Sequence, residues 1–268
     1  MTICTAWIRR VGQAEELVFC TDSRLRSFGS WDANPKIFTF NRTDCAMCFS
    51  GDTVFSYPLM IQLKNAIDAN PKMESRFQRL DVFKGILVKT MNGLLTYKSD
   101  YEIPSVDFLF GGYCWFRKAF KIWSIQYEVT KKAFVARQLT DGVWRKGDLP
   151  VFFAGDYVDH AKESLIKLLV THKSFTSGNR IDMEPFQVLC EMLAAPNREE
   201  VHHLIGGPPQ MLKVYKSLNR VPFGVKWKMK GTDEITLFGM PVHMRKGFPY
   251  PVIDPTTLRI SNSNSYAI

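Results

Sequence analysis

The sequence predicts an α+β fold, a four-layer αββα sandwich of two antiparallel sheets that face one another with a helix pair outside each. Three observations carry this expectation. Strand-like and helix-like segments come in blocks, with four strands, two helices, four strands, two helices and then final strands; that order argues against the alternating units of a doubly wound parallel sheet. Within the blocks the apolar residues either alternate or recur at three-to-four spacing, the signatures of half-buried strands and amphipathic helices. The 268 residues, 46% hydrophobic and 23% charged, match globular composition and are long enough for one large layered domain.

Each element has its own signal. Residues 3–8 are a short apolar run, and Leu17 to Thr21 is a second that ends at Asp22. Lys36 to Phe40 alternates, and Cys45 to Phe49 is a fourth run stopping at Ser50-Gly51-Asp52. Gly12, Gly29 and the stretch Asn41 to Asp44 supply turns, so these four runs fit an antiparallel meander. From Asp52 onward, Val54, Leu59, Ile61, Leu63 and Ile67 suit a buried helix that takes Pro58 into its first turns and stops at Asn70-Pro71. Arg76 to Lys98 carries Phe77, Leu80, Phe83, Leu87, Met91 and Leu94 on one stripe, an amphipathic helix. Strands return at Val106 to Phe110, Phe120 to Gln126, Ala133 to Gln138 and Val151 to Phe153. A helix then runs to about His172 with Asp156 as N-cap, and another covers Glu184 to Ala195, resuming at Arg198 to Leu204. Gly206-Gly207-Pro208-Pro209 breaks the chain before strands at Gln210 to Tyr215, Pro222 to Lys228 and Ile235 to Phe238. Residues 1–228 are expected to form the main domain. Residues 229–268, with Pro241, Pro249, Pro251 and Pro255, read as a C-terminal strand and a proline-rich tail that wraps a surface or frays.

Several function classes drop out. No apolar run approaches the roughly 18 residues of a membrane span, and the first residues lack a secretory signal, so a cytoplasmic protein is expected. Six cysteines are too sparse for a disulfide scaffold. Cys45 and Cys48 form a C-x-x-C, but on a strand they point to opposite faces, and no second ligand pair accompanies them. Five histidines form no ligand set, and no phosphate-loop, dinucleotide or H-E-x-x-H motif occurs, so neither metal nor cofactor is expected. The net charge of +9 draws attention to Arg117, Lys118 and Lys121 around two tryptophans, and to Lys226, Lys228 and Lys230. The second group reads as the solvent face of an outer strand, and with no nucleic-acid motif a nucleic-acid partner is not expected.

The chemistry rests on short segments in a fixed order: a threonine leading into the first strand, TDSR at 21–24, PKIF at 35–38, FSGD at 49–52, FAGDYVDHA at 153–161 and IGGPPQ at 205–210. Together these resemble the proteasome β-subunit family of N-terminal nucleophile hydrolases and its bacterial relatives. A threonine hydroxyl needs a base to act as a nucleophile. Removal of Met1 would give Thr2 a free α-amine, whose pKa of about 7.7–8 leaves a usable neutral fraction near pH 7. By the resemblance, Lys36 is the cation beside it, Asp22 the carboxylate that holds Lys36, and the Gly51 backbone N–H the oxyanion donor. Each residue also has an ordinary reading: a small second residue, a turn after a strand, a surface lysine and a helix-leading glycine. The sequence departs from the family at three places. A serine near the start of the third helix, and an aspartate and serine before the late glycine pair, are replaced by Ala154, His202 and Ile205, with Asp156 or Asp182 as possible substitutes. The resemblance implies a threonine-type peptidase acting on peptide or protein substrates inside a homo-oligomeric ring or stack, with helices at 52–98 in subunit contacts. The alternative is a catalytically silent scaffold subunit with a basic surface.

Overall fold

The computed structural model describes residues 2–26, 29–99, 103–140, 150–172, 181–195, 198–217, 219–242 and 248–261. Met1 and the terminal run 262–268 lie outside the described residues. The chain opens with a hairpin of β1 (Ile3–Val11) and β2 (Ala14–Thr21), turned by Gly12 at φ +59°. A two-stranded ladder of β3 (Leu25–Arg26) and β4 (Ser30–Trp31) follows, then β5 (Ile37–Phe38) and β6 (Cys45–Gly51). The helices α1 (Thr53–Asp68), α2 (Pro71–Glu74) and α3 (Leu80–Leu94) lead to β7 (Val106–Cys114), β8 (Ala119–Glu128), β9 (Ala133–Thr140) and β10 (Val151–Gly155). After α4 (Val158–Thr171), α5 (Glu184–Ala194) and α6 (Arg198–Val201) come β11 (Gln210–Tyr215), β12 (Arg220–Met229), β13 (Thr232–Leu237), β14 (Met240–Pro241), β15 (Val252–Ile253) and β16 (Ile260–Ser261).

One sheet has the order β10-β1-β2-β11-β12-β13-β14, and the other β5-β6-β7-β8-β9. Neighbours on both paths are antiparallel, while β15 lies parallel to β12. The four opening runs are therefore not one meander: the first two enter one sheet and the second two the other. The strand period of two then assigns every side chain to a face. Leu17 and Phe19 of β2 meet Cys48 of β6, Leu109 of β7 and Ile122 of β8 in a core between the sheets. The intervening Val18 and Cys20 pack on Leu165 and Leu169 of α4 and Phe186 and Leu189 of α5. On β6, Met47 and Phe49 pack instead on Leu63 of α1 and Phe83 and Leu87 of α3. Cys45 and Cys48 accordingly point into different cores. Fully burying a side chain such as Leu63 or Leu87 is worth about 1.5–3 kcal/mol, and truncating a core phenylalanine such as Phe83 costs about 3–5 kcal/mol.

Other boundaries differ from expectation for local reasons. Asn70 does not merely stop α1; its side chain accepts from Lys72 N–H and caps α2. The helix expected from Arg76 begins at Leu80 and leaves Phe77 exposed. Lys226, Lys228 and Lys230 are exposed as expected, but β12 pairs with β11, β13 and β15 and is not simply an outer strand. In the tail, Phe248 and Val252 share a small apolar cluster with Ile235 of β13. None of the helices among the described residues is long and apolar enough to cross a membrane.

Candidate active site

Thr2 stands one residue before β1, in the same parity as Cys4 and Ala6, so its side chain faces the opposite sheet. Asp22 follows the end of β2, and the hairpin register, which pairs Cys4 with Thr21, sets it across from Ile3, the neighbour of Thr2. Lys36 precedes β5. Its backbone N–H donates to Gln210 Oε1 at 3.0 Å and its carbonyl accepts from Phe49 N–H at 3.3 Å. These anchors bring the ammonium between the other two groups: Lys36 Nζ donates to Thr2 Oγ1 at 2.7 Å and to Asp22 Oδ1 at 2.9 Å. All three residues are 0% exposed.

A buried carboxylate must be well supplied with donors. Asp22 Oδ1 also accepts from Ile3 N–H at 3.2 Å, and Oδ2 accepts from Arg24 N–H and Gly206 N–H, each at 3.1 Å. Burial is the main influence on Lys36 and pushes its pKa below the ordinary lysine value; the Asp22 charge and hydrogen bond work in the opposite direction. The ammonium thus loses its proton more readily than a surface lysine would.

Of the two roles the sequence offers Asp156, N-cap of α4 and support for Thr2, the structure shows the second. Asp156 does not cap α4, whose first turn follows Tyr157 at φ +57°. Its Oδ2 instead accepts from Thr2 N–H at 2.6 Å, and its own N–H donates to the Thr2 carbonyl at 2.7 Å. Gly155 makes this clamp possible. It has φ +103°, and a Cβ there would stand 1.9 Å from the Thr2 carbonyl oxygen. Of the two substitutes considered for the missing support, only Asp156 meets Thr2. Asp182 accepts from Arg9, and its carbonyl accepts from Trp7 Nε1 at 2.8 Å. At the family's support positions, Ala154 packs on the inter-sheet core, Ile205 is in the core beneath α4 and α5, and the His202 ring meets Tyr157 and His160 edge-on.

Gly51 ends β6 at φ +100°, where a Cβ would strike the Ser105 carbonyl at 2.3 Å. It lines a cleft of about 640 Å³ together with Ser50, Gly155 and Asp156, so it is linked to Thr2 through those last two residues. Gln210, the last residue of the IGGPPQ segment, has no role of its own in the sequence reading. Its buried amide donates to the carbonyls of Asp22 at 3.1 Å and Asn34 at 2.6 Å, tying the Asp22 and Lys36 segments together. The signal available for it was the polar residue between the Gly-Gly-Pro-Pro break and an apolar strand.

No family model and no curated protein matches this chain. Solved structures do. The helical assembly of the Anbu complex from Pseudomonas aeruginosa is 16% identical with a TM-score of 0.60, covering 88% of this chain and 86% of that one. Anbu, the ancestral β-subunit, from Yersinia bercovieri is 15% identical with a TM-score of 0.56, covering 82% and 86%. An Anbu (Gly-1) mutant from Hyphomicrobium sp. strain MC1 is 13% identical with a TM-score of 0.55, covering 88% and 85%. These likenesses correct the assignment to proteasome β-subunit hydrolases: the fold is similar to that of Anbu, a separate proteasome-like branch. At such identity the likeness extends to the fold alone.

Proposed function

We propose that this chain is a threonine-type N-terminal nucleophile amide hydrolase acting on peptide bonds. The observation that carries the reading is the contact of Lys36 Nζ with both Thr2 Oγ1 and Asp22 Oδ1. Cleavage of the bond before Thr2 would leave its nitrogen as an α-amine beside Asp156 Oδ2. In its neutral form that amine takes the hydroxyl proton as Thr2 Oγ1 attacks the substrate carbonyl carbon. Lys36 steadies the developing charge on oxygen, and the backbone N–H of Gly51, a residue of the cleft wall, is assigned as donor to the tetrahedral oxyanion. The amine then returns the proton to the leaving nitrogen, giving an ester on Thr2. Water attacks that ester with the same amine as base, releasing the acid and restoring the hydroxyl.

The same reading takes the chain as a four-layer αββα sandwich over residues 1–228, with 229–268 as an accessory extension, and as a homo-oligomer. The separate inter-sheet and sheet–helix cores support the layering. The helical assembly of the Pseudomonas aeruginosa structure supports the association; light scattering at micromolar concentration should give a mass above 30.8 kDa.

The test combines intact mass with active-site labelling. Loss of residue 1, and a peptide epoxyketone adduct that joins both the hydroxyl and the amine of Thr2, are expected. Thr2→Ala should abolish adduct and hydrolysis, while Thr2→Ser should keep part of both. A second reading, a catalytically silent scaffold, is favoured by the full burial of Thr2 and by apolar Ala154 and Ile205 at the support positions. Retention of residue 1, or an adduct that forms equally well on Thr2→Ala, would select it.

A further inference from the structure

The cleft beside Gly51 has a charge opposite to that of the chain as a whole. The protein carries a net +9, yet among the described residues this cleft is lined by Asp52, Asp107 and Asp156 against one cation, Arg26. Arg26 is turned away to the His203 carbonyl, to which it donates at 2.9 Å. Among the described residues none of the three aspartates forms an ion pair. Two of them have structural work. Asp52 caps α1 by accepting from Val54 N–H at 2.8 Å, and Asp156 clamps Thr2. Asp107 has no such task.

Sheet geometry explains where Asp107 points. Ser50, Asp107 and Gln126 form one cross-strand row on β6, β7 and β8, two residues beyond the row of Cys48, Leu109 and Ser124. Cys48 and Leu109 face the inter-sheet core, so the end row faces the same way, where the sheets part into the cleft. Asp107 is half-buried there, and burial raises its pKa despite a hydrogen bond from Gln126. Ser50 is 1% exposed, lines the cleft, and its hydroxyl meets no hydrogen-bond partner among the described residues. A buried hydroxyl without a partner is unfavourable, and a ligand with several donors would satisfy it.

We propose that this cleft binds the cationic side chain, lysine or arginine, of the residue that supplies the scissile carbonyl, with Asp107 as its counter-charge and the Ser50 hydroxyl as an acceptor. The proposal rests on the hydrolase reading for its position next to Thr2. The cavity lies within the 300–1,000 Å³ of ordinary ligand sites. The three carboxylates do not group as a metal site among the described residues, which favours an elongated organic cation with several N–H donors. A guanidinium, with five donors in a planar fork, can meet a carboxylate and a neighbouring hydroxyl together.

Two measurements test it. Hydrolysis of fluorogenic peptide amides ending in Arg, Lys, Leu or Glu should show at least a tenfold kcat/KM preference for the basic pair. Asp107→Asn should shrink the Arg-to-Leu ratio about tenfold, and Asp107→Glu should restore part of it. Equal or better turnover of Leu or Glu, or a ratio unmoved by Asp107→Asn, would overturn the assignment. Binding is read separately on Thr2→Ala protein, by fluorescence anisotropy of a labelled peptide carrying Arg or its neutral isostere citrulline. Arg should bind about tenfold more tightly, and Asp107→Asn should abolish the difference. Absence of a Thr2 adduct with this binding preference intact would remove the hydrolase reading and keep the cationic subsite. An adduct on Thr2 with equal binding of the two peptides would do the reverse.

Discussion

Asp22→Asn is the most informative single change in the molecule, because the replacement keeps the shape and removes only the charge and one acceptor. Asp22 accepts from four donors through two oxygens: Lys36 Nζ and Ile3 N–H on one, Arg24 N–H and Gly206 N–H on the other. Whichever way the amide turns, its NH₂ must oppose two donors in a site that is 0% exposed. Stranding a buried ammonium by removing its partner costs about 3–5 kcal/mol, and the opposed N–H groups contribute within that range. For a domain of this size each kcal/mol lowers Tm by about 2–4 °C, so a fall of about 6–20 °C is expected. Urea denaturation of a double-mutant cycle separates charge from packing. Lys36→Met removes the ammonium, so Asp22→Asn made in that background should cost about 2 kcal/mol less than in the wild type. A loss below about 1 kcal/mol for Asp22→Asn, together with no coupling to Lys36, would refute the paired buried site.

The remaining predictions probe the clamp and the titrations. Gly155→Ala should cost at least about 3 kcal/mol by urea denaturation, since the left-handed backbone strains any side chain and the new methyl would meet the Thr2 carbonyl; a neutral effect would show that Thr2 is not held by β10. The folded-state pKa of Lys36 is depressed, so the unfolded chain binds more protons as pH approaches 10.5, and its contribution to stability rises with pH in that window. Wild type minus Lys36→Met, compared in urea melts between about pH 7 and pH 10, should show that slope. Hydrolysis should rise with pH at an apparent pKa at or below about 8 where the Lys36 cation dominates the α-amine. The Asp156 carboxylate opposes that cation, so Asp156→Asn should move the rising limb to lower pH; a shift to higher pH would remove Asp156 from contact with the amine. Lys36→Ala should reduce kcat/KM by several orders of magnitude, because the cation and the base act as one unit.

Much was legible in the amino-acid order alone. Alternation marked the strands, and three-to-four spacing marked α1 and the body of α3, because burial on one face leaves a periodic trace in the chain. Thr2, Asp22 and Lys36 were ordinary residues taken singly and gained their roles only from the family resemblance; in the fold Lys36 Nζ lies 2.7 Å from Thr2 Oγ1 and 2.9 Å from Asp22 Oδ1. What the order could not convey was pairing between segments far apart. Nothing local to Leu17–Thr21 or to 36–40 says that they join different sheets; that follows from which faces can be buried against which helices. Asp156 looked like a helix cap because Asp before a helix usually is one, yet its carboxylate bonds a residue 154 positions away. Gln210 and Ser50 had no individual role until the fold enclosed them, one with three acceptors and the other, among the described residues, with no partner for its hydroxyl. Local propensity writes itself into sequence, whereas the partner of a buried polar group depends on which distant backbone the fold delivers to it.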